Sequence, residues 1–324
     1  MSEPRLHGVL VTFRRPKDLE RSLRSLADQD RRLDTLVVVD NAPTGETESI
    51  VRAVAGAAGE VSYLPMTENV GFPGALAAGM ASLIEGSADD RDWIVVLDDD
   101  DPPEQTNAFE DLVRFAEETA AGDPRTAAVG LRGARFDDRK GLLLRVATRD
   151  ITGPAVPVDY IAGNALPLYR VRALRDVGTF AAPLFFSHEE LELGLRLKRA
   201  GFALYCHGDR WRARRADNGR PDVLEEERWR LLQPNWRSYY SLRNTIHILR
   251  ENGGSGAALR ITISRGLLKP LAHLAVSPRS ASRALRLNVR ACADAWRGRL
   301  GRRIDPDVSA RPKRAPAPAP SSRA

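Results

Sequence analysis

The chain is short of the features that make several common protein classes easy to assign. Its 324 residues include two cysteines, Cys206 and Cys292. Two cannot build a disulfide framework, and neither has a partner at metal-ligand spacing, which fits a reducing compartment. No run of about 18 apolar residues occurs, so no membrane-crossing helix is expected. The nearest stretch, 266–276, is interrupted by Lys269, Pro270 and His273. The opening Met1-Ser2-Glu3-Pro4-Arg5 leads into a strand-like segment without a charged region followed by an apolar one. No signal peptide is expected, and the location expected is cytoplasmic, extending to the inner face of the cell membrane. No G-x-G-x-x-G follows the first strand and no G-x-x-x-x-G-K-[ST] occurs anywhere. A standard dinucleotide fold and a P-loop NTPase are thereby disfavoured. There is no internal repeat.

What is present is a chain with 43% hydrophobic residues, enough for a sizeable core. Its net charge of +6 is unevenly spread. From Ser255 onward 15 Lys and Arg face 3 Asp and Glu, a net +12, which leaves −6 on the first 254 residues. A basic end on an acidic body suits an anionic partner as well as an Arg-rich solvated surface. At most a peripheral, salt-sensitive contact with an anionic membrane is expected. Nucleic acid is not, because no aromatic-interleaved basic platform is visible. The division expected is a catalytic domain over 1–235, a helical extension over 236–304, and a disordered Pro/Ala/Arg tail over 305–324.

Hydrophobic periodicity fills in the first hundred residues. Strands are expected at 7–13, 35–39, 61–64 and 93–97, with helices at 16–27, 49–58 and 71–84 between them. In 16–27, Leu19, Leu23 and Leu26 recur at helical spacing, and Pro16 suits the first turn. Alternation of this kind implies an α/β fold, a mostly parallel sheet with helices on both faces. Further on, a strand is expected at 126–131, a hairpin-like stretch to 149, a loop and strand over 161–169, and a helix over 189–200 closed by Gly201. Helices follow over 236–250 and 257–299. Ligands of such sheets bind at the carboxyl ends of the strands. The polar residues ending the first, second and fourth strands, Arg14, Asp40 and Asp98, should therefore share one crevice.

Three stretches carry chemistry. Asp98-Asp99-Asp100-Asp101 follows an apolar strand. Four adjacent carboxylates repel one another, and a divalent cation relieves the repulsion. Hard oxygen ligands select Mg²⁺ or Mn²⁺. If the extended backbone continues, Asp98 and Asp100 face one side as the metal pair and Asp99 the other. A solvated acidic turn before Pro102-Pro103 is the plain alternative. Second, Asn69-x-Gly71-x-x-Gly74 opens a helix, where backbone N–H groups meet a diphosphate or simply pack closely. Third, Glu189-Glu190 begins a helix, where the pair can serve as caps or supply a general base.

Together these stretches resemble the inverting family-2 glycosyltransferases of the GT-A fold over roughly residues 6–301, and among them bacterial rhamnosyl- and galactofuranosyltransferases. The resemblance implies a nucleotide-sugar donor and Mn²⁺ or Mg²⁺ at the D-x-D pair Asp98 and Asp100. It implies donor contacts from Thr12, Phe13 and Arg14, from Asp40 to the base, and from Asn69, Gly71, Gly74 and Asp99. Gly163 and Asn164 would line the acceptor side. The acceptor expected is a glycan, a lipid-linked molecule or a small molecule. The general base falls on the second acid, Glu190, although a Glu-Glu pair in place of the usual Asp leaves Glu189 as the other option. Tyr239-Tyr240-Ser241-Leu242-Arg243-Asn244 and the 293–301 segment also look like parts of those enzymes. One departure stands out. A His metal ligand often follows the acidic pair by about twenty residues, and here that place reads Trp211-Arg212. His188 and His207 lie near, and Arg212 suits a diphosphate better than a metal. Two rival functions remain, a sugar-phosphate nucleotidylyltransferase and a degenerate nucleotide-sugar-binding protein. The first wants a glycine-rich loop after strand one, which residues 12–16 lack.

Overall fold

The computed structural model describes residues 3–54, 56, 59–86, 88–217, 235–272 and 278–305. The expected tail lies outside them except for Asp305. The amino-terminal part alternates β1 (Leu6–Thr12), α1 (Pro16–Ala27), β2 (Thr35–Asp40), α2 (Gly45–Ala53), β3 (Glu60–Pro65), α3 (Phe72–Glu85), β4 (Trp93–Asp98), α4 (Ala108–Gly122) and β5 (Thr126–Gly130). The expected strands and helices are all there. The second helix starts four residues before its expected position because the Thr44 hydroxyl accepts from the Thr47 N–H at 3.2 Å and caps it there.

After β5 the chain forms β6 (Gly133–Asp137), β7 (Leu142–Arg145), β8 (Ala155–Val158), β9 (Tyr160–Ile161), β10 (Leu168–Arg170), α5 (Val171–Val177), α6 (Glu189–Arg199), β11 (Ala203–His207) and α7 (Gly208–Asp217). The large sheet runs β3-β2-β1-β4-β10-β5-β11-β8, and β7-β6-β9 form a small one. The β3-β2-β1-β4 half is parallel. β10 enters antiparallel between β4 and β5, so the sheet is mainly, not wholly, parallel.

The central strands divide their side chains between two cores with period two. Val9, Val11, Val37, Val39, Ile94 and Val96 face α3. Leu10, Leu36, Val38, Val95 and Leu97 face α1 and α4. This is the pattern of strands covered on both sides. Register then places the functional edge. Thr12 pairs with Asp40 and Val11 with Asp98, so three strands end level.

The C-terminal helices α8 (Trp236–Glu251), α9 (Ser255–Ile261), α10 (Lys269–Ala272) and α11 (Pro278–Trp296), with a π-helical segment Thr262–Leu268 joining α9 to α10, add a third core. Phe185 of the catalytic part packs into it with Tyr239, Tyr240 and Ile246.

Helix α3 sits close on the sheet because Gly79 has no side chain. A Cβ there would lie 2.6 Å from Val9 Cγ1 and 2.8 Å from Val39 Cγ2. Gly79→Val should cost about 1–3 kcal/mol through overpacking. Gly122→Ala, which meets nothing within 4 Å, should be neutral or stabilise by up to about 1 kcal/mol. Urea denaturation of both variants checks the pair.

Candidate active site

The crevice forms where β1 and β4 diverge toward different neighbours, the position at which open α/β sheets bind ligands. β4 ends at Asp98, and the chain bends at Asp99 and Asp100. Alternation therefore stops. Asp99 does not turn to the far side as an extended strand would require. One carboxylate oxygen from each of Asp98, Asp99 and Asp100 lies within 4.8 Å of the others. Asp99 is buried and tied down: Thr12 Oγ1 donates to its Oδ2 at 2.8 Å, Arg15 Nη1 to its Oδ1 at 3.1 Å, and Ser22 Oγ to its carbonyl at 2.7 Å. Arg15 also pairs with Asp100. Burial, and then the charges of Asp100 and Asp99, push the Asp98 carboxyl up to about 7. Hard oxygen donors held this close, one of them reluctant to ionise alone, suit a divalent cation.

Asp40 is buried at the end of β2. It accepts from Tyr63 Oη at 2.9 Å and from the Ala42 N–H at 2.9 Å. Tyr63 borders a cleft of about 380 Å³ with Pro43, Thr44, Gly45, Glu48 and Pro65. Asn41 and Asn69 bond side chain to side chain at 3.1 Å, and Asn69 Oδ1 accepts from the Gly71 N–H at 2.9 Å. Gly71 has φ 78°, and a Cβ there would sit 2.0 Å from the Phe185 carbonyl oxygen. The glycine segment is thus pressed against the turn that precedes α6. Gly74 instead packs on Val70.

That turn presents the acidic pair. Phe185, Ser187 and His188 all have positive φ, at 63°, 72° and 68°. The strain persists because α8 holds the carbonyls. Asn244 Nδ2 lies 3.1 Å from the Leu184 carbonyl and 2.8 Å from those of Phe186 and Ser187. Arg243, fully buried, donates to the carbonyls of Leu184 at 2.7 Å and Gly301 at 2.8 Å. Glu189 is buried, and its Oε2 has no hydrogen-bond partner among the described residues. Burial and then Glu190 raise its carboxyl well above the usual range. Glu190 is partly exposed, and burial and then Asp98 push it up to about 7. Gly163 lies directly against it, since a Cβ there would be 2.4 Å from Glu190 Oε1. Asn164 accepts from Arg132.

Of the residues expected at the site, Asp98, Asp99 and Asp100 lie together, Gly163 lies against Glu190, Asn69 bonds to Gly71 beside the turn that precedes Glu189, and Asp40 ends β2 level with Thr12. Sequence reasoning did not single out Arg15, the residue that reaches the aspartates, while exposed Arg14 stacks on Phe13 at 5.2 Å. It missed Tyr63. It also missed Arg237 of α8, which sits over the rings of Trp236 at 5.1 Å and Phe186 at 5.4 Å, near enough to Arg15 and Asp100 to feel both charges. No local pattern marks these three. His207 stacks on Phe115 at 4.5 Å, and His188 meets Ser241 at 3.2 Å, with burial pushing the ring down to about 4. Arg212 instead spends its guanidinium on the Ile151 carbonyl at 2.6 Å, the Gly153 carbonyl and Asp209.

Comparison with known proteins agrees with this architecture. Residues 9–173, just over half of the chain, match the model of glycosyl transferase family 2. The chain belongs to that family. It is 30% identical over 204 residues to galactofuranosyltransferase GlfT1 of Mycobacterium tuberculosis, covering 60% of this chain and 64% of that protein. The Mycolicibacterium smegmatis counterpart is 30% identical over 206 residues, covering 60% and 65%. The chain thus spans a little under two thirds of these relatives. Among solved structures, GalNAc-T7 with UDP, GalNAc and Mn²⁺ shares the fold at 12% identity and a TM-score of 0.52, covering 76% of this chain and 48% of that one.

Asn244→Leu takes the side-chain donor from the Phe186 and Ser187 carbonyls of a strained turn, while Leu184 keeps Arg243. It should cost about 3 kcal/mol or more of stability. Ser241→Ala, which removes only the hydroxyl facing His188, should stay within about 1 kcal/mol. Denaturant titration of the two variants separates a clamp from a surface contact.

Proposed function

We propose that this chain, a member of glycosyl transferase family 2, moves a sugar from a UDP- or dTDP-linked donor to an acceptor hydroxyl with inversion, in a reaction that depends on Mn²⁺ or Mg²⁺. The observation that carries the reading is the cluster of Asp98, Asp99 and Asp100 with Glu190 near enough to feel the charge of Asp98. The mycobacterial relatives' name makes galactofuranose the first sugar to test. A glycan, a lipid-linked molecule or a small molecule is the acceptor.

Asp98 and Asp100 would hold the cation, whose chemistry is to offset charge on the departing diphosphate. Thr12 and Arg15 keep Asp99 turned under this edge, so the three carboxylates cannot splay apart. The cleft beside Tyr63 and Asp40 receives the nucleobase, with Tyr63 Oη fixing the Asp40 carboxylate. Gly71 brings the backbone close beside the ribose and diphosphate. Arg15 and Arg237 give the diphosphate a cationic flank, and Arg237 is kept in place by two aromatic rings. Glu190 removes the acceptor proton as the acceptor oxygen bonds to the anomeric carbon, on the face opposite the breaking carbon–oxygen bond. Gly163 leaves the space in which Glu190 and the acceptor meet. Of the two acids Glu190 is favoured, because Glu189 is more deeply buried and harder to ionise.

A base works ionised, so a carboxyl raised to about 7 predicts a transfer rate that climbs with pH through an apparent pKa near 7. Glu190→Gln should lower kcat by about 100- to 10,000-fold with little change in donor KM. A folded Glu190→Gln variant that transfers at the wild-type rate would sink the assignment. Asp98 carries a second expectation. Protons must leave before the cation binds, so Mn²⁺ should raise the melting temperature more at pH 8 than at pH 6. Asp98→Asn and Asp100→Asn should each abolish that shift, and calorimetry with Mn²⁺ alone reads it.

A further inference from the structure

Seven of the nine exposed large hydrophobic side chains among the described residues lie between 259 and 296, in the C-terminal helices. Four of them, Leu259, Ile263, Leu267 and Leu271, recur every four residues and are 37–51% exposed. In a plain α-helix a four-residue step overshoots one turn of 3.6 residues, so such a row drifts around the axis. Here the middle of the run is π-helical, Thr262–Leu268. Its wider i→i+5 turn makes the same step fall short. The two drifts oppose each other, and the row stays on one side for about 15 Å. Lys269 is exposed alongside it.

Helix α11, which packs against the segment that carries this row, lines with the turn after it a cleft of about 600 Å³ that includes Arg286, Val289, Arg290, Arg297, Arg299 and Arg303. The acid in this lining is Asp294, which is buried, accepts from Tyr239 Oη at 2.7 Å and pairs with Arg290 at 3.8 Å. Arg286, Arg297 and Arg299 make no ion pair among the described residues. Row and cleft belong to one packed unit. Trp296 Nε1 donates to Thr262 Oγ1 at 3.0 Å, and Asn288 Nδ2 to the Arg265 carbonyl at 3.0 Å.

We propose that this end of the molecule docks on an anionic phospholipid surface, with the leucine row entering the headgroup boundary and the arginine cleft taking lipid phosphates. Charge complementarity selects this occupant. Residues 255–305 hold 11 Lys and Arg against 2 Asp. A second copy meeting the same face by two-fold symmetry would set arginines against arginines. A nucleic acid has no use for an apolar row. A basic face carrying exposed leucines is what an interfacial surface needs. The inference is independent of the sugar-transfer reading.

The test is sedimentation of the full chain with vesicles of phosphatidylcholine alone or with one third phosphatidylglycerol. Partitioning should be about tenfold stronger on the anionic vesicles, and should fall steeply when salt rises from about 50 to about 500 mM. Leu267→Glu with Leu271→Glu should remove at least about tenfold of it at an unchanged melting temperature, since both side chains are exposed. Arg286→Gln with Arg297→Gln and Arg299→Gln should flatten the preference for anionic vesicles. Equal binding to both vesicle types overturns the proposal, as does full vesicle binding by the double leucine variant. Failure to sediment together with a dimer that the leucine variant dissociates also overturns it, and would assign the row to a second copy.

Discussion

The site rests on two side chains that hold no substrate position of their own. Arg243 and Asn244, adjacent on α8, satisfy the backbone carbonyls of a turn in which Phe185, Ser187 and His188 all have positive φ. Each such residue is costly in isolation, and a sequence of three persists only when the surroundings over-determine it. A buried arginine without a carboxylate partner is expensive too. The two costs offset each other: the turn offers carbonyl oxygens, and Arg243 has donors to spare. From the turn follow the direction of α6, the placing of Glu189 and Glu190, and the contact of the Phe185 carbonyl with Gly71 and with the Phe72 N–H.

The turn also crowds carboxyl groups. Asp98 reaches Glu190 through the Coulomb field, Glu189 feels both, and Asp99 and Asp100 add to Asp98. The protein answers with donors at one side only. Thr12, Arg15 and Ser22 hold Asp99 and its backbone, while Asp98 and Glu190 have no comparable partner among the described residues. A protein selected for stability alone would pair these groups or replace them. Opposed acids whose surroundings shift them toward neutrality are what acid–base chemistry at neutral pH uses.

The edge was legible in the sequence because periodicity in strands is short-ranged. The runs ending at Thr12, Asp40 and Asp98 each identify their own strand end, and parallel register makes the ends level. The alternation rule misjudged Asp99 because it was carried one residue past the last ladder bond. Arg15, Tyr63 and Arg237 were not legible at all. Each reaches the site by a long side chain from a neighbouring element, and one arginine in a chain with so many resembles another. The Tyr-Tyr-Ser-Leu-Arg-Asn segment was noticed, but its work is to receive carbonyls that lie about sixty residues earlier, a pairing no local pattern contains. The strand expected within 161–169 is there as β10, but its antiparallel direction was not legible, because a strand of three residues carries no pattern that says which way it enters the sheet.

The division proposed at residue 235 therefore separates two stretches of sequence rather than two independent bodies. One face of α8 closes the turn beneath Glu189 and Glu190, and Phe185 is part of the core that α8 shares with α9 and α11. Tyr239, from that same helix, donates to Asp294, the acid that pairs with Arg290 in the arginine cleft. Removing the C-terminal helices would expose this shared core and take Arg243 and Asn244 from the Leu184, Phe186 and Ser187 carbonyls, so the parallel sheet would keep its aspartates and lose the fixed position of Glu190. Whatever surface the basic helices meet, the contact is made by helices that share one core with the turn that sets the acidic pair.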